Sequence, residues 1–180
     1  MTRLVQAKEH RAVLFFAAML VVSAPLALAN EDPNAGFRRS FQGEWASTVE
    51  RAERLAKAIP EETYDWRPAE GVRSVSEAIM HIAHGNFLFA SALGLPRPDD
   101  LPEDLETITD KAEVMVTLRR SFEQVETAIE QALTGDLDRA EPKFGTVRAV
   151  LLRALVHANE HVGQLIAYGR TNGVAPPWSR

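Results

Sequence analysis

Apolar residues recur every three or four positions in four separate stretches of this chain, and each stretch stops at a proline or glycine signal. The first carries Phe37, Phe41, Trp45, Val49, Ala52, Leu55 and Ile59, and Pro60, which cannot continue a helix, ends it. The second opens on Ser74-Val75-Ser76-Glu77, a capping box with Ser74 at the N-cap, continues through Val75, Ile79, Ile82, Asn86, Phe89 and Leu93, and ends at Gly94. The third opens on a second box, Asp110 to Glu113, and shows the cleanest stripe: Met115, Leu118, Phe122, Val125, Ile129 and Ala132. The fourth runs from about Thr146 through Val147, Leu151, Ala154, Ala158, Leu165 and Tyr168 to Asn172-Gly173, with Pro176-Pro177 barring continuation. No stretch alternates apolar and polar residues for long, so no sheet is expected. Four helices with one apolar stripe each predict an all-α four-helix bundle.

Two joins are long for a bundle, residues 60–73 and 94–109, where two to eight residues are usual. Each can span a helix length, so an up-down-up-down order is not required. The second join, with Pro96, Pro98 and Pro102 among acidic residues, reads as a stiff solvated strap whose charge serves solubility. Arg38-Arg39 and Arg119-Arg120 are too sparse for phosphate recognition and read as solvated faces. A net charge of −5 argues against a nucleic-acid partner. The absence of cysteine excludes disulfides, thiolate nucleophiles and Cys-type metal sites.

The first residues read as an address. Arg3, Lys8 and Arg11 precede an unbroken apolar run from Ala12 to Val22, and Ala27-Leu28-Ala29 supplies an A-x-A cleavage site. The run is shorter than the ~20 residues of a membrane span, and no cysteine follows it for lipidation. Residues 1–29 are therefore expected to be a removed secretory signal. The remaining 30–180 would be one periplasmic or secreted domain without a stable membrane anchor.

Outside that leader the chain has four histidines, on two of the expected helices. His157 and His161 stand one turn apart on one face, a spacing at which two imidazoles can grip one cation. The plainer reading is a pair of core-edge histidines satisfied by carbonyls or carboxylates. A third imidazole from the facing helix would complete a three-nitrogen set with a fourth position open. His81 is the candidate, and His84, three residues on, competes with it or serves as a surface or supporting residue. Glu160 completes the string H-A-N-E-H, which matches an inverted zinc-peptidase motif. No acidic residue follows His161 to supply the further ligand such enzymes use. Gln164 and Tyr168, three and seven residues beyond His161, are candidates to orient a metal-bound water, or else simply cap the core. Trp45, Trp66 and Phe87 could line a pocket, though packing is the commoner task for such rings.

Trp66-Arg67-Pro68 leading to S-V-S-E-A-I-M-H at 74–81, and the segment H-A-N-E-H-V-G-Q-L-I-A-Y-G-R-T-N-G-V-A-P-P-W-S at 157–179, resemble the DinB-like (DinB/YfiT) superfamily of metal-binding four-helix bundles. The likeness covers nearly all of the chain after the leader. It implies an up-down-down-up bundle, frequent homodimers, and a divalent ion, nickel or zinc in most members, on His81, His157 and His161. It does not imply polymerase activity. Some members are thiol-dependent transferases or isomerases, a pattern from which an exported member departs.

Three functions follow as expectations. One is a metal-dependent enzyme, of hydrolase or transferase type, acting on an unknown small molecule, with Glu160 as a general base if it faces the ion. Another is a non-catalytic bundle that traps an ion for stability or sequestration. The third holds no metal and binds a partner or an apolar ligand. Neutral nitrogen ligands suit zinc, nickel, copper and iron alike, so the donor set does not choose the metal.

Overall fold

Local signals place each helix within a residue or two of its expected bounds. The computed structural model describes residues 32–179, so the leader assigned to residues 1–29 lies outside the described residues. Helix α1 spans Ala35–Ala58, and its last turn closes with the Ile59 N–H on Leu55 O at 3.1 Å, just before Pro60. Helix α2 spans Val75–Ala92 behind a complete capping box. Ser74 Oγ accepts from the Glu77 N–H at 3.3 Å, and the Glu77 carboxylate accepts from the Ser74 N–H at 2.7 Å. Gly94 follows at φ 103°, a left-handed turn that suits glycine. Helix α3 spans Lys111–Thr134, with the Asp110 carboxylate capping the Glu113 N–H at 2.9 Å; only this arm of the expected box forms. Helix α4 spans Val147–Thr171, with the Thr146 hydroxyl capping Ala149.

The expectation of no sheet is corrected in one place. Strands β1 (Ala140–Glu141) and β2 (Gly145–Thr146) pair as a two-residue antiparallel ribbon between α3 and α4. The Glu141 carboxylate accepts the N–H groups of Lys143 and Phe144, and Gly145 takes φ 94°, so turn chemistry rather than alternation builds it. The α3 stripe also lies slightly rotated from expectation. Val114 and Leu133 are buried, together with Thr117, Ser121 and Ala128, while Met115 and Ala132 sit at the margin.

Cross-helix contacts set the directions of the helices. Along α1 and α3, Trp45 meets Phe122 (ring centroids 6.1 Å), Glu53 meets Arg119 (3.6 Å) and the Ile59 carbonyl meets Lys111 Nζ (2.6 Å), so the two run antiparallel. Asn34 meets Arg148 (2.9 Å) and Thr48 meets Asn159 (2.8 Å), so α4 runs with α1. His81 lies by His161 and Phe89 by His157, so α2 opposes α4. Asn86 bonds Ser121 at 3.0 Å, and the Pro96 carbonyl just beyond α2 accepts from Gln124 at 2.7 Å, so α2 and α3 run together.

Neither long join hangs free. In 60–73, the Tyr64 ring is buried and its hydroxyl donates to Ala56 O at 2.9 Å, while the carbonyls of Tyr64 and Trp66 receive the first N–H groups around α2. In 94–109, Leu105 and Ile108 are buried around a 3-10 turn at Leu105–Thr107, and Arg120 pins Asp100 through two bonds of 2.7 and 2.8 Å. The strap is therefore packed rather than merely solvated. Among the described residues, no helix is long and apolar enough to cross a membrane.

Candidate metal centre

The antiparallel run of α2 against α4 brings His81 to His157 and His161. Ring centroids lie 5.1 Å (His81–His157), 4.8 Å (His81–His161) and 4.7 Å (His157–His161) apart. One nitrogen from each ring lies within 4.8 Å of the others, close enough for one ion to be shared. Gly85 makes the approach feasible. A Cβ there would stand 2.3 Å from His157 Cε1 and 2.5 Å from Nδ1, so any side chain would push the ring out of place. Phe89 closes on the other flank, edge-on to His157 at 5.6 Å.

Two of the three rings are oriented by acceptors on their Nδ1. His81 Nδ1 lies 2.8 Å from Glu106 Oε1, and His161 Nδ1 lies 2.8 Å from Gln164 Oε1. Each leaves Nε2 with a lone pair for a cation. The third ring differs: His157 Nδ1 is shielded from solvent and has no hydrogen-bond partner. An orphaned buried nitrogen is costly unless something satisfies it, and a cation bound through that Nδ1 would do so.

Burial, above all, pushes the His157 imidazole down to about 3, and the neighbouring His161 and His81 add to the effect. Burial also lowers His81, against the opposing pull of Glu106. Burial thus favours the neutral form of His157 and His81, the form in which an imidazole binds a metal.

The remaining candidates fall in different places. Gln164 and Tyr168 form a relay in which Gln164 Nε2 donates to the Tyr168 hydroxyl at 2.7 Å, and that hydroxyl donates to Arg73 O at 3.1 Å. Through this relay they orient the His161 ring. Trp66 packs edge-on to Tyr168 at 5.3 Å, whereas Trp45 and Phe87 are core residues. His84 is exposed, its ring parallel to that of His81 at 6.2 Å, and it stays outside the triad. Glu160 is exposed and makes no hydrogen bond to the histidines.

Glu106 was not foreseen. It belongs to the strap whose charge was read as solubility, and it is corrected here to the acceptor that orients His81 while pairing with Arg73 at 2.9 Å. Only its fold neighbours distinguish it from the other acids of the strap. Gly85 did carry a signal, an isolated glycine within a helical pattern, which marks close approach. A cleft of about 500 Å³ opens beside the centre and reaches both orienting residues, Glu106 and Gln164, with Arg67, Arg73 and Glu77 on its walls.

With this geometry in place, comparison with known proteins is direct. The DinB superfamily model matches residues 43–165. The chain belongs to the DinB superfamily. It is 33% identical over 128 residues to the uncharacterized protein YjoA of Bacillus subtilis (strain 168), across 66% of this chain and 80% of that one. Two DinB-like crystal structures resemble it. One, from Bacillus cereus ATCC 10987, has a TM-score of 0.67 at 19% identity over 79% of this chain and 97% of its own. The other, B. subtilis YjoA, has a TM-score of 0.64 at 27% identity over 78% of this chain and 98% of its own. The match to the DinB superfamily includes all three histidines of the centre.

Proposed function

We propose that this DinB-superfamily chain is an exported, divalent-metal-binding four-helix bundle that works as a metal-dependent enzyme, of hydrolase or transferase type, on a small molecule. One observation carries the reading: three imidazoles from two helices converge, two already oriented and the third with a buried nitrogen that lacks a partner. Three neutral nitrogens leave a fourth tetrahedral position for a substrate atom, which is the donor pattern of catalytic rather than structural sites. A nickel or zinc ion held there supplies a Lewis acid. Glu106 and Gln164 orient the His81 and His161 rings, and burial favours the neutral form of His157 and His81.

The up-down-down-up order is supported by the pairwise helix directions. Export is supported by the basic, apolar and A-x-A pattern of residues 1–29, and it places the working protein in the periplasm or outside the cell. The same reading includes no nucleic-acid partner, since the chain is acidic, and the homodimer that the family resemblance implies.

The test is elemental analysis of protein purified without a metal-affinity tag. About one nickel or zinc per chain is expected, with less than about a tenth of that in His157→Ala or His161→Ala, the loss that follows from deleting one of three ligands. Native protein free of stoichiometric divalent metal would sink the proposal. One observation favours the non-catalytic alternative: the cleft is lined by the residues that orient the histidines and not by the histidines themselves. A loaded protein that excludes every added small ligand from the ion, read by the visible spectrum of a cobalt-substituted sample, would decide for that alternative.

A further inference from the structure

We propose that Arg73 is the positioning residue of this centre, fixing through its two ends which nitrogen of both His81 and His161 carries the proton. The consequence for an ion rests on the metal reading above; the assignment of protons does not.

The first end is the backbone carbonyl of Arg73, which can only accept. The Tyr168 hydroxyl, 3.1 Å away, must therefore donate to it. Having given its one proton, that hydroxyl accepts from Gln164, 2.7 Å away, so Gln164 presents its Nε2 to Tyr168 and its Oε1 to His161. An amide oxygen only accepts, so His161 Nδ1 bears the proton and Nε2 the lone pair. Each assignment is forced by the one before it.

The second end is the guanidinium. Arg73 Nε lies 2.9 and 3.0 Å from the two oxygens of Glu106, and Glu106 Oε1 lies 2.8 Å from His81 Nδ1. A carboxylate held by an arginine only accepts, so His81 also carries its proton on Nδ1. The backbone of Arg73 is itself fixed, because the next residue is the cap Ser74, whose N–H is bound by Glu77. Neither relay crosses the other, and both begin at this residue.

Arg73→Met keeps the carbonyl and the stem but removes the guanidinium; Tyr168→Phe cuts only the carbonyl arm. Imidazole nitrogen NMR of metal-free protein reads the tautomers directly. Wild type should show Nδ1–H at both His81 and His161. Arg73→Met should convert His81 alone to a tautomer mixture, and Tyr168→Phe should convert His161 alone. Arg73→Lys, which retains a cation without the two-oxygen contact, should restore His81 in part and guards against a folding defect in the methionine variant. For the loaded protein, zinc affinity should fall about tenfold in Arg73→Met. The double variant Arg73→Met with Glu106→Gln should be no weaker than Glu106→Gln alone, because the guanidinium acts through that carboxylate. Unchanged tautomers in both variants, or additive losses in the double variant, would overturn the assignment. If wild type binds no divalent ion, the metal reading falls, while the tautomer spectra still decide the role of Arg73.

Discussion

Where α1 meets α3, the seam is filled with large rings. Phe41 and Trp45 stack at 6.2 Å, Trp45 meets Phe122 edge-on, and Leu55 and Leu118 are fully buried nearby in the same core. Where α2 meets α4, Gly85 lets the His157 ring approach α2 closely, and three imidazoles gather there with Phe89 edge-on to one of them. The first seam is mainly packing, with the Glu53–Arg119 and Lys111–Ile59 contacts across it and the Trp45 indole nitrogen buried within it. The second brings together three ring nitrogens close enough for one ion to share. The contrast separates stability from function within one core, and substitutions in the two seams should move different observables.

The largest effect is expected in the aromatic seam. Phe122→Ala removes a ring that is 1% exposed and should cost about 3–5 kcal/mol in urea unfolding. Zinc affinity of the folded fraction should stay within about threefold. An equal loss of metal binding would show that the two seams are mechanically one.

Next is His157→Ala, with the pattern reversed. Zinc affinity should drop at least about a hundredfold, equivalent to ~2.7 kcal/mol. Metal-free stability at neutral pH should change by no more than about 1 kcal/mol, because deletion of a buried unpaired nitrogen offsets the lost packing. Calorimetric titration and urea unfolding of the same preparation check both halves. A large loss of metal-free stability would mean that the imidazoles are core residues first.

How far each seam was legible in the sequence follows from the same contrast. The aromatic seam and the helix bounds are written locally: a 3.6-residue period, Pro60, Ser74 with Glu77, and Thr146 each act within one or two turns. The spacing of His157 and His161 is local too, so this part of the centre can be read from the chain alone. Their meeting with His81 depends on the opposed direction of α2 and α4, which no local signal encodes. Glu106 is chemically identical to Glu103 in the same strap, and only burial of Leu105 and Ile108 turns it toward His81. Arg73 precedes a cap and looks like loop polarity. The ribbon at Ala140–Thr146 was invisible because two residues per strand are too few to alternate.

Gly85→Ala sharpens the comparison with a smaller effect. Alanine inside a helix is favoured over glycine by up to about 1 kcal/mol, so metal-free α2 should be no less stable. The new methyl would occupy the position 2.3 Å from His157 Cε1, forcing the ring to turn away from its partners. Zinc affinity should fall about tenfold with no loss in urea midpoint. Loss of both together would mean that the ring cannot move, and that Gly85 is needed for packing as much as for the ion.

The smallest effect lies in the pH dependence of metal-free protein. His157 sits at about 3 when folded, against 6.5 for an unperturbed histidine, because burial disfavours its charged form. The unfolded chain therefore takes the proton first. This residue's contribution is fully present above pH 6.5, and it is lost as pH falls from there toward the folded value. The slope can reach about 1.4 kcal/mol per pH unit, so the first unit below 6.5 costs roughly 1 kcal/mol, and the lowered His81 adds in the same direction. His157→Gln, which cannot titrate, should flatten that slope between pH 6.5 and 4. Phe122→Ala should leave it parallel to wild type, since the aromatic seam contains no imidazole. Equal flattening in both variants would show that acid sensitivity belongs to the whole bundle, and would erase the distinction between its two seams.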